Sequence, residues 1–524
     1  MLGNQALSNA EYNALLFGGA VLVFAFYFNL GIYPLSLEEP RRGLIALEMM
    51  INENIWVPTQ AGELYYRKPP VYNWLLIISY QLFGQASELA VRFFSVFSHL
   101  LSGVLLFFFV RRYVAKELAL LTVFSFLVSV DILTYFSALG EIDLFYALTT
   151  SLSIFLIYYF GERNQNWWLF SLVYVLTALG FLTKGLTSLP FTAISLLVYF
   201  IHRRKFKQLI SLQHTFGILI FASLVAGYFY QYSQYQEVIG WWTTLLSEST
   251  DKATAGGFMS FLEQFITFPL ETVKILLPAS LFLPLLLLKS VRNKLKAQPF
   301  VWFCLLIFVF NFPIYWFSTE AKARYIYPLV PFGVIVLSFM ASSGVQIGLN
   351  RIIKVLTFSV LIVLFFAFAA LPFLKTLVPV ESAYLYVLVL LFLLGGLFYL
   401  LTKAICRPYV VLLLALVVLK LGISSFVPQI RRDTADSAEN KRIALEVAAM
   451  TLGADIARYD DLRLSLGMVF YLEREKQRVL YSADELTNGF FFILPEALDG
   501  KEIDYNLQKK FNYRNQEIWL IKVE

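Results

Sequence analysis

Long apolar stretches, separated by short polar segments, occupy most of the chain before about residue 427. A helix needs about 20 apolar residues to cross the hydrocarbon core of a bilayer, and many of these stretches reach that length. The stretch from Val71 to Phe83 is apolar but shorter, which favours a re-entrant or interfacial segment over a full crossing. The pattern predicts about thirteen membrane-spanning helices, near residues 12–33, 90–110, 117–136, 142–160, 167–182, 186–201, 209–230, 270–288, 299–317, 325–343, 353–373, 383–402 and 408–426.

The composition agrees with an integral membrane protein. Of the 524 residues, 59% are hydrophobic, 17% are aromatic and only 15% are charged, whereas an ordinary soluble protein is roughly half apolar and about a quarter charged. The sequence contains no phosphate-binding loop of the Gly-x-x-x-x-Gly-Lys-Ser/Thr type, which argues against an ATP-driven pump. The three histidines are scattered and the two cysteines lie in or near apolar stretches, so neither a histidine metal site nor a disulfide framework is indicated.

Basic residues are concentrated in alternate loops, and this sets the expected orientation. Because an excess of Lys and Arg in short loops marks the cytoplasmic side, the first span is predicted to begin inside and the C-terminus to lie outside. The formal net charge of +6 is then explained by topology and calls for no nucleic-acid partner. The basic loops contain Arg111, Arg203, Lys289, Arg351 and Lys403, and the predicted outer loops are 34–89, 137–141, 183–185, 231–269 and 318–324.

The composition changes near the end of the last apolar stretch. Residues 440–524 are charged and mixed, and short strand-like runs alternate there with helical periodicity. We therefore predict a transmembrane domain over residues 1–427, including the outer loop 34–89 with interfacial helices, and a soluble α/β domain over residues 428–524 on the outer side. The sequence leaves open whether this small domain takes part in chemistry or is only a structural plug.

A charged cluster, Glu38-Glu39-Pro40-Arg41-Arg42, directly follows the first apolar stretch. Pro40 suits the first turn of a helix, where carboxylates are stabilised by the helix dipole. The residues after it are largely apolar, which is typical of a helix lying in the membrane interface. The cluster is either a capped surface helix or part of a functional site.

A second acidic group lies at the start of the fourth predicted span. A carboxylate just inside a span is costly unless it faces a cavity or a partner, so Asp143 is a functional candidate. Glu141 is two residues away and is expected to point elsewhere if the segment is helical. Asp143 is therefore the predicted inward group.

Cations accompany these acids at the predicted outer boundaries. Arg67 and Lys68 follow two tyrosines and either anchor to lipid headgroups or bind a phosphate. Lys184 stands in a glycine-flanked turn, and on its own it also fits a snorkelling lysine. The last outer loop adds Lys322, Arg324 and Tyr325.

Taken together, these motifs resemble the lipid-dependent GT-C glycosyltransferases, among them the bacterial aminoarabinose transferases of lipid A and the protein O-mannosyltransferases. The resemblance is spread over about the first 335 residues. The family's catalytic aspartate position holds Glu38 here, which is one methylene longer, and the outer loop near residues 248–252 matches only loosely. The residues that carry the resemblance are Glu38-Glu39-Pro40-Arg41-Arg42, Lys68-Pro69-Pro70 with Trp74, Asp143, Thr183-Lys184-Gly185, Ser318 with Lys322, and Tyr325-Ile326-Tyr327-Pro328-Leu329-Val330-Pro331.

The resemblance implies an all-α polytopic fold of the GT-C type and a sugar donor carried on a polyprenyl phosphate. Glu38 or Glu39, with Asp143, would position and deprotonate an acceptor hydroxyl for an inverting displacement, whereas a phosphate acceptor needs no strong base. The sequence does not demand a cofactor, and a divalent cation held by Glu38 and Asp143 is compatible with the preference of hard ions for oxygen ligands. The residues expected to bind the donor phosphate are Arg41, Arg67, Lys68, Lys184, Lys322, Arg324 and Tyr325.

The expected location is a bacterial inner membrane, with the site and the C-terminal domain on the periplasmic side. The expected partners are a polyprenyl-phosphate-linked sugar donor, the bilayer, and an acceptor that is a glycolipid, a protein or another glycan. Two alternatives remain, an enzyme similar to oligosaccharide transferases or O-antigen ligases, and a flippase for lipid-linked sugars. A flippase should carry inverted repeats and ionisable groups near the middle of the bilayer, and the charges gathered at one face favour the enzyme.

Overall fold

The computed structural model describes residues 7–254, 257–342, 347–374, 380–460, 462–513 and 516–524. Within these residues, ten helical segments are long and apolar enough to span a membrane, or twelve if each of two sharply bent helix pairs counts as one crossing. The all-α polytopic fold is thereby confirmed. The ten segments are Asn9–Tyr27, Glu88–Val110, Ile142–Gly161, Asn166–His202, Leu212–Ser233, Pro299–Trp316, Ala323–Ser342, Leu349–Phe373, Ala383–Thr402 and Pro408–Thr434.

The segment Asn166–His202 is a helical hairpin. The chain reverses at Gly185, whose positive φ of 76° is accessible to glycine at little cost. The rings of Phe170 and Phe200, thirty positions apart, stack with their centroids separated by 5.7 Å, which a single straight helix cannot do. Counting the hairpin as two crossings and each bent pair as one gives a one-to-one correspondence with the predicted spans. The hairpin consists of the helices Asn166–Lys184 and Ser188–His202.

Two of the predicted straight spans are bent helix pairs in the structure. One bends by 50° where Lys116–Leu127 meets Val130–Ala138, and the other bends by 119° where Phe258–Ile275 meets Ala279–Leu287. Pro278 stands at the second break, and a proline cannot donate the backbone hydrogen bond that would continue the helix. Hydropathy detects the apolar length of such a segment, but it does not detect the bend.

The two ends of the helix bundle differ in charge. Helix Ile142–Gly161 begins beside Asp143, which contacts Lys184, and it ends beside Glu162, which contacts Arg203 at 2.6 Å. The basic loops meet around the Arg203 end, and the acids and cations of the candidate site meet around the opposite end. The basic loops are 111–116, 203–207, 289–296, 351–354 and 403–407. Residues in or beside these loops contact one another, in the pairs Tyr113–Tyr158, Tyr113–Gln298, Tyr12–Lys116, Glu11–Arg407 and Thr357–Pro408.

The outer loop folds into a compact layer over the end that lacks the basic loops. A buried glutamate, Glu48, accepts hydrogen bonds from the backbone N–H groups of Ala61 at 2.5 Å and Gly62 at 3.2 Å, and so holds the turn of a short hairpin. The helix Val71–Phe83 has only 13 residues and is too short for a crossing of about 30 Å. The other elements are the helix Glu39–Ile51 and the strands β1 (Thr59–Gln60) and β2 (Glu63–Leu64).

The C-terminal unit contains a mixed five-stranded sheet and two helices, which confirms the predicted α/β character. The strand order is β4-β3-β5-β7-β6; β3 runs parallel to β4 and β5, and β7 runs antiparallel to β5 and β6. The elements are helices Asp436–Met450 and Leu466–Lys476, and strands β3 (Ile456–Tyr459), β4 (Ser482–Ala483), β5 (Gly489–Ile493), β6 (Tyr505–Tyr513) and β7 (Gln516–Val523).

This unit shares a hydrophobic core with the outer loop. Leu44 and Tyr72 from the outer loop belong to the same buried cluster as Phe470 and Phe492 from the C-terminal unit. The predicted boundary at residue 427 falls inside the helix Pro408–Thr434, which continues into the C-terminal unit. The division into two domains stays a prediction, and the shared core indicates that the two parts are stabilised together.

Candidate active site

A buried group of ions forms where the helix Ile142–Gly161 begins. Asp143 lies in the first turn and is only 3% exposed. Its Oδ1 atom accepts a hydrogen bond from Nζ of Lys184 at 2.5 Å, and its Oδ2 atom lies 3.3 Å from Nε of Arg324. Lys184 ends the first helix of the hairpin and Arg324 begins a later segment, so three distant parts of the chain meet here. The structure therefore brings together three of the predicted site residues.

Glu141 belongs to the same group. It is 2% exposed, and its Oε1 atom lies 3.6 Å from Nη1 of Arg324. The expectation that Glu141 points away from Asp143 is not met, because the backbone at Glu141 is extended (φ −106°, ψ 148°) and helical periodicity begins only at the next residue. The buried Arg42 acts electrostatically on Glu141, and its Nη1 donates to Oη of Tyr65 at 3.4 Å. Arg42, and not its neighbour Arg41, thus faces the ion group.

The environment of Glu141 changes its acidity. Burial, together with the neighbouring Asp143 carboxylate, raises the pKa of Glu141 to about 7, although Arg324 and Arg42 oppose this shift. Three cations (Arg42, Lys184 and Arg324) surround two carboxylates, so the group carries a net positive charge, which increases by one when Glu141 takes up a proton. An anion that approaches this group meets a favourable potential.

Tyrosines surround the lysine of the group. The Nζ atom of Lys184 lies 4.2 Å from the ring centroid of Tyr325 and 4.9 Å from that of Tyr146. An ammonium over an aromatic face is stabilised by the ring quadrupole. Tyr325, predicted as a phosphate-binding residue, therefore contacts a predicted phosphate-binding lysine directly.

Glu39 is placed differently from the other predicted acids. It is fully buried, and its carboxylate accepts five hydrogen bonds, two from Arg92 at 2.7 and 2.9 Å, two from Ser36 at 2.9 and 3.4 Å and one from the N–H of Gly140 at 2.7 Å. A carboxylate whose two oxygens accept this many hydrogen bonds has little capacity left to bind a substrate. The geometry favours a positioning role for Glu39.

Arg92 is a buried residue of this network that the sequence analysis missed. Besides Glu39, its guanidinium donates to the backbone carbonyls of Leu30, Tyr33 and Pro34 and stacks over the Tyr33 ring at 3.7 Å. The available signal was an arginine just inside the apolar stretch 90–110, where an unpaired charge would be expensive.

A large cavity lies between the outer loop and the C-terminal unit. Its volume is about 1580 Å³, and Glu38, Arg41 and Arg67 line it. Glu38 and Arg41 form an ion pair with each other, and the Glu38 side chain is 35% exposed. Tyr65 also lines the cavity and, through its contact with Arg42, connects the cavity wall to the buried ion group.

The remaining predicted residues lie around this end of the bundle. Lys68 is half-buried at the start of the segment that leads into helix Val71–Phe83, and Lys322 is exposed two residues before Arg324. The cations that contact Asp143 among the described ion pairs are Lys184 and Arg324. The side chains of the loosely matching stretch 248–252 are not among those that the structure describes.

The described residues give no direct support for a metal ion. Among them, no group of three or more His, Cys, Asp or Glu side chains has the spacing of a metal site. Glu38 is paired with Arg41, and the oxygens of Asp143 face Lys184 and Arg324, so these donors do not fit a divalent cation in this arrangement. The divalent cation at Glu38 and Asp143 stays a prediction.

Comparison with known sequences identifies relatives for part of the chain. Residues 67–229, which include Asp143 and Lys184, match the model of the family "Dolichyl-phosphate-mannose-protein mannosyltransferase". An uncharacterized protein of Aquifex aeolicus is 25% identical over 330 residues, which are 61% of this chain and 57% of that protein. The undecaprenyl phosphate-alpha-4-amino-4-deoxy-L-arabinose arabinosyl transferase of Yersinia pestis is 31% identical over 206 residues, 37% of this chain and 36% of that enzyme. The matches thus span between one third and three fifths of these relatives.

Comparison with solved structures extends over nearly the whole chain. The apo crystal structure of ArnT from Cupriavidus metallidurans has a TM-score of 0.71 at 16% identity and covers 98% of both chains. The structure of the same protein bound to undecaprenyl phosphate has a TM-score of 0.72 at 16% identity and covers 97% of both chains. The resemblance that the motifs indicated is therefore confirmed at the level of the fold, and this chain has an ArnT-like GT-C fold.

Proposed function

We propose that this protein is an integral membrane glycosyltransferase that moves a sugar from a polyprenyl-phosphate donor to an acceptor. The observation that carries the proposal is the buried group of Glu141, Asp143, Lys184 and Arg324. It lies at the end of the bundle opposite the basic loops, and two of its carboxylates and its lysine fall within the stretch that matches the mannosyltransferase family. The group carries a net positive charge and lies where apolar helices end, and such a place suits the phosphate of a lipid-borne substrate.

The relatives support the same substrate class. The Yersinia enzyme is named for an undecaprenyl phosphate-linked aminoarabinose donor, and the Cupriavidus ArnT binds undecaprenyl phosphate. We extend this donor class to the present chain because of its fold and its cationic site. An acceptor of the glycolipid, protein or glycan class remains part of the proposal.

The chemistry follows from where charge develops. As the glycosidic bond breaks, negative charge grows on the departing polyprenyl phosphate, and preorganised cations at that position lower the barrier. Lys184 and Arg324 supply this charge and Asp143 holds both in place. Glu38, at the wall of the cavity, accepts the proton of an acceptor hydroxyl during an inverting displacement, while an acceptor phosphate needs no such base.

The orientation of the site is also a proposal. Basic loops mark the cytoplasmic side of multi-pass proteins, and the ion group, the cavity and the C-terminal unit lie at the other end of the helices. The active site then faces the extracytoplasmic side, which for a bacterial protein of this type is the periplasmic side of the inner membrane. The bilayer holds the prenyl tail while the sugar and phosphate enter the site.

Reconstitution tests the function. Purified protein in liposomes is supplied with undecaprenyl phosphate-linked 4-amino-4-deoxy-L-arabinose, and with polyprenyl-phosphate mannose in parallel, together with envelope glycolipids and peptides as acceptors. We expect mass spectrometry to detect one acceptor gaining the mass of one sugar, with release of the polyprenyl phosphate.

The same liposomes separate the enzyme from the flippase. A flippase would move the donor between leaflets, which an externally added sugar-cleaving reagent detects, and would leave the acceptors unmodified. Donor movement without any transfer to an acceptor would exclude the glycosyltransferase proposal.

The pKa of Glu141 leads to a pH dependence. With a pKa of about 7, its carboxyl is about nine-tenths protonated at pH 6 and about one-tenth protonated at pH 8, so the positive charge of the group falls as the pH rises. For a phosphate bound about 8 Å from this carboxyl, one unit of charge would contribute about 2 kcal/mol at an effective dielectric constant of about 20. We expect the KM for the donor to rise between pH 6 and pH 8 by about 3- to 30-fold.

The variant Glu141→Gln isolates this effect. Its neutral amide should hold the donor KM near the low-pH value throughout pH 6 to 8. Glu502→Gln, which removes an exposed carboxylate of the C-terminal unit, serves as the matched control and should keep the pH dependence of the wild type. A donor KM that still rises with pH in Glu141→Gln would assign the titration to another group.

A further inference from the structure

The side chain of Tyr471, in the C-terminal unit, contacts the loop before Glu38. This residue is fully buried in the helix Leu466–Lys476. Its Oη atom accepts a hydrogen bond from the backbone N–H of Leu35 at 2.8 Å and donates one to Oε1 of Glu88 at 3.1 Å. Because a buried backbone N–H requires an acceptor, the phenol oxygen fixes the position of Leu35.

The phenol itself is held from several sides. The Nζ atom of Lys441 is 2.6 Å from Glu88 and 5.3 Å from the centroid of the Tyr471 ring. The guanidinium of Arg474 lies 5.0 Å from the same centroid. These contacts join the C-terminal unit to the first residue of the span Glu88–Val110, so the phenol oxygen is presented to the loop from a rigid support.

The loop is anchored on its other side by the buried ion pair. Arg92 binds the carbonyl oxygens of Tyr33 and Pro34, and the N–H of Ser36 donates to Glu39. Leu35 lies between these two anchors and hydrogen-bonds to the C-terminal unit. The position of this segment is therefore set jointly by the membrane helices and by Tyr471.

The helix that follows the loop also rests on the C-terminal unit. A Cβ atom added at Gly43 would lie 3.0 Å from the ring of Phe470, so the helix Glu39–Ile51 and the helix Leu466–Lys476 are in close contact. Gly467 and Val469 line the cavity together with Arg41 and Glu38. The C-terminal unit thus forms one wall of the cavity and supports the other.

We propose that Tyr471 is a positioning residue, which holds the loop of residues 33–38 so that Glu38 and Arg41 face the cavity. The inference rests on the proposed function for its catalytic consequence, but the geometry of the loop stands independently of it. It also answers the question left open by the sequence, because a C-terminal unit that positions site residues is more than a structural plug.

The test is Tyr471→Phe in the full-length protein, which removes one oxygen and keeps the ring between Lys441 and Arg474. We expect amide hydrogen exchange in a peptide covering residues 33–39 to become about tenfold faster, because one hydrogen bond of the loop is lost. We expect the kcat for transfer from the undecaprenyl-phosphate donor to fall by about 10- to 100-fold, since small displacements of reacting groups are costly. Exchange in residues 516–523 of the sheet should stay unchanged, which reports an intact C-terminal fold.

Tyr505→Phe is the matched control, because Tyr505 is a partly exposed tyrosine of the same unit, and it should leave both measurements at their wild-type values. Unchanged exchange of residues 33–39 in Tyr471→Phe overturns the proposal, and so does faster exchange with wild-type kcat and KM. If the wild-type protein transfers no sugar, the proposed function fails, and the exchange measurement still decides whether Tyr471 holds the loop.

Discussion

Replacement of Asp143 by asparagine should reduce sugar transfer by at least about 100-fold, the scale at which removal of a preorganised electrostatic group acts on a transition state. The carboxylate of Asp143 holds Lys184 at 2.5 Å and Arg324 at 3.3 Å. The amide of asparagine has a similar shape but no charge, so both cations lose the partner that, in the proposed mechanism, aims them at the departing phosphate. The measurement is kcat for Asp143→Asn in liposomes, normalised to the amount of folded protein.

The control must distinguish a loss of catalysis from a loss of folding stability, because breaking a buried ion pair costs about 3 to 5 kcal/mol. Thermal unfolding of the purified variant in detergent measures this loss directly. Asp433→Asn changes an exposed aspartate that pairs with its neighbour Arg432, and it should leave both the midpoint and the turnover unchanged. Wild-type turnover by Asp143→Asn would remove Asp143 from the mechanism.

The largest effect on stability is expected from Arg92→Met. Arg92 is fully buried and donates to both oxygens of Glu39 and to three backbone carbonyls. Methionine fills part of the volume but leaves a buried carboxylate without its cation, which costs about 3 to 5 kcal/mol. We expect a lower unfolding midpoint in detergent and a reduced yield of monodisperse protein.

A double variant tests whether the uncompensated charge is the cause. Glu39→Gln combined with Arg92→Met removes both charges and should recover part of the stability that Arg92→Met loses. Arg432→Met, at an exposed arginine near the same end of the bundle, is the matched control and should unfold like the wild type. If the double variant is no more stable than Arg92→Met, then the stability is lost because three carbonyls have no donor and the shorter side chain leaves a void, and not because the Glu39 charge is unpaired.

Much of the site could be predicted because an ionised side chain has a high free energy within a membrane. Asp143 and Lys184 stand at the ends of apolar stretches, where an ion is retained only if it has a partner or a task, and they contact each other. The sequence suggests that Glu141 points away from Asp143, because it does not show that the backbone at Glu141 is extended and that the helix begins only at Ile142. Arg41 and Arg42 are adjacent and chemically identical, so only the packing reveals that Arg42 faces the buried acids while Arg41 pairs with Glu38.

The sequence by itself determined the order of the apolar stretches, the end of the bundle that carries the basic loops, and the α/β character of the C-terminal unit. These properties depend on local composition and periodicity. A spanning helix must match the thickness of the bilayer, and basic residues are concentrated in the loops on the cytoplasmic side. Only the tertiary structure decided that Glu39 is enclosed by Arg92, that Glu141 joins Asp143, and that Tyr471 reaches Leu35 across 436 positions. Such contacts depend on how distant segments pack, and no local pattern of residues encodes that arrangement.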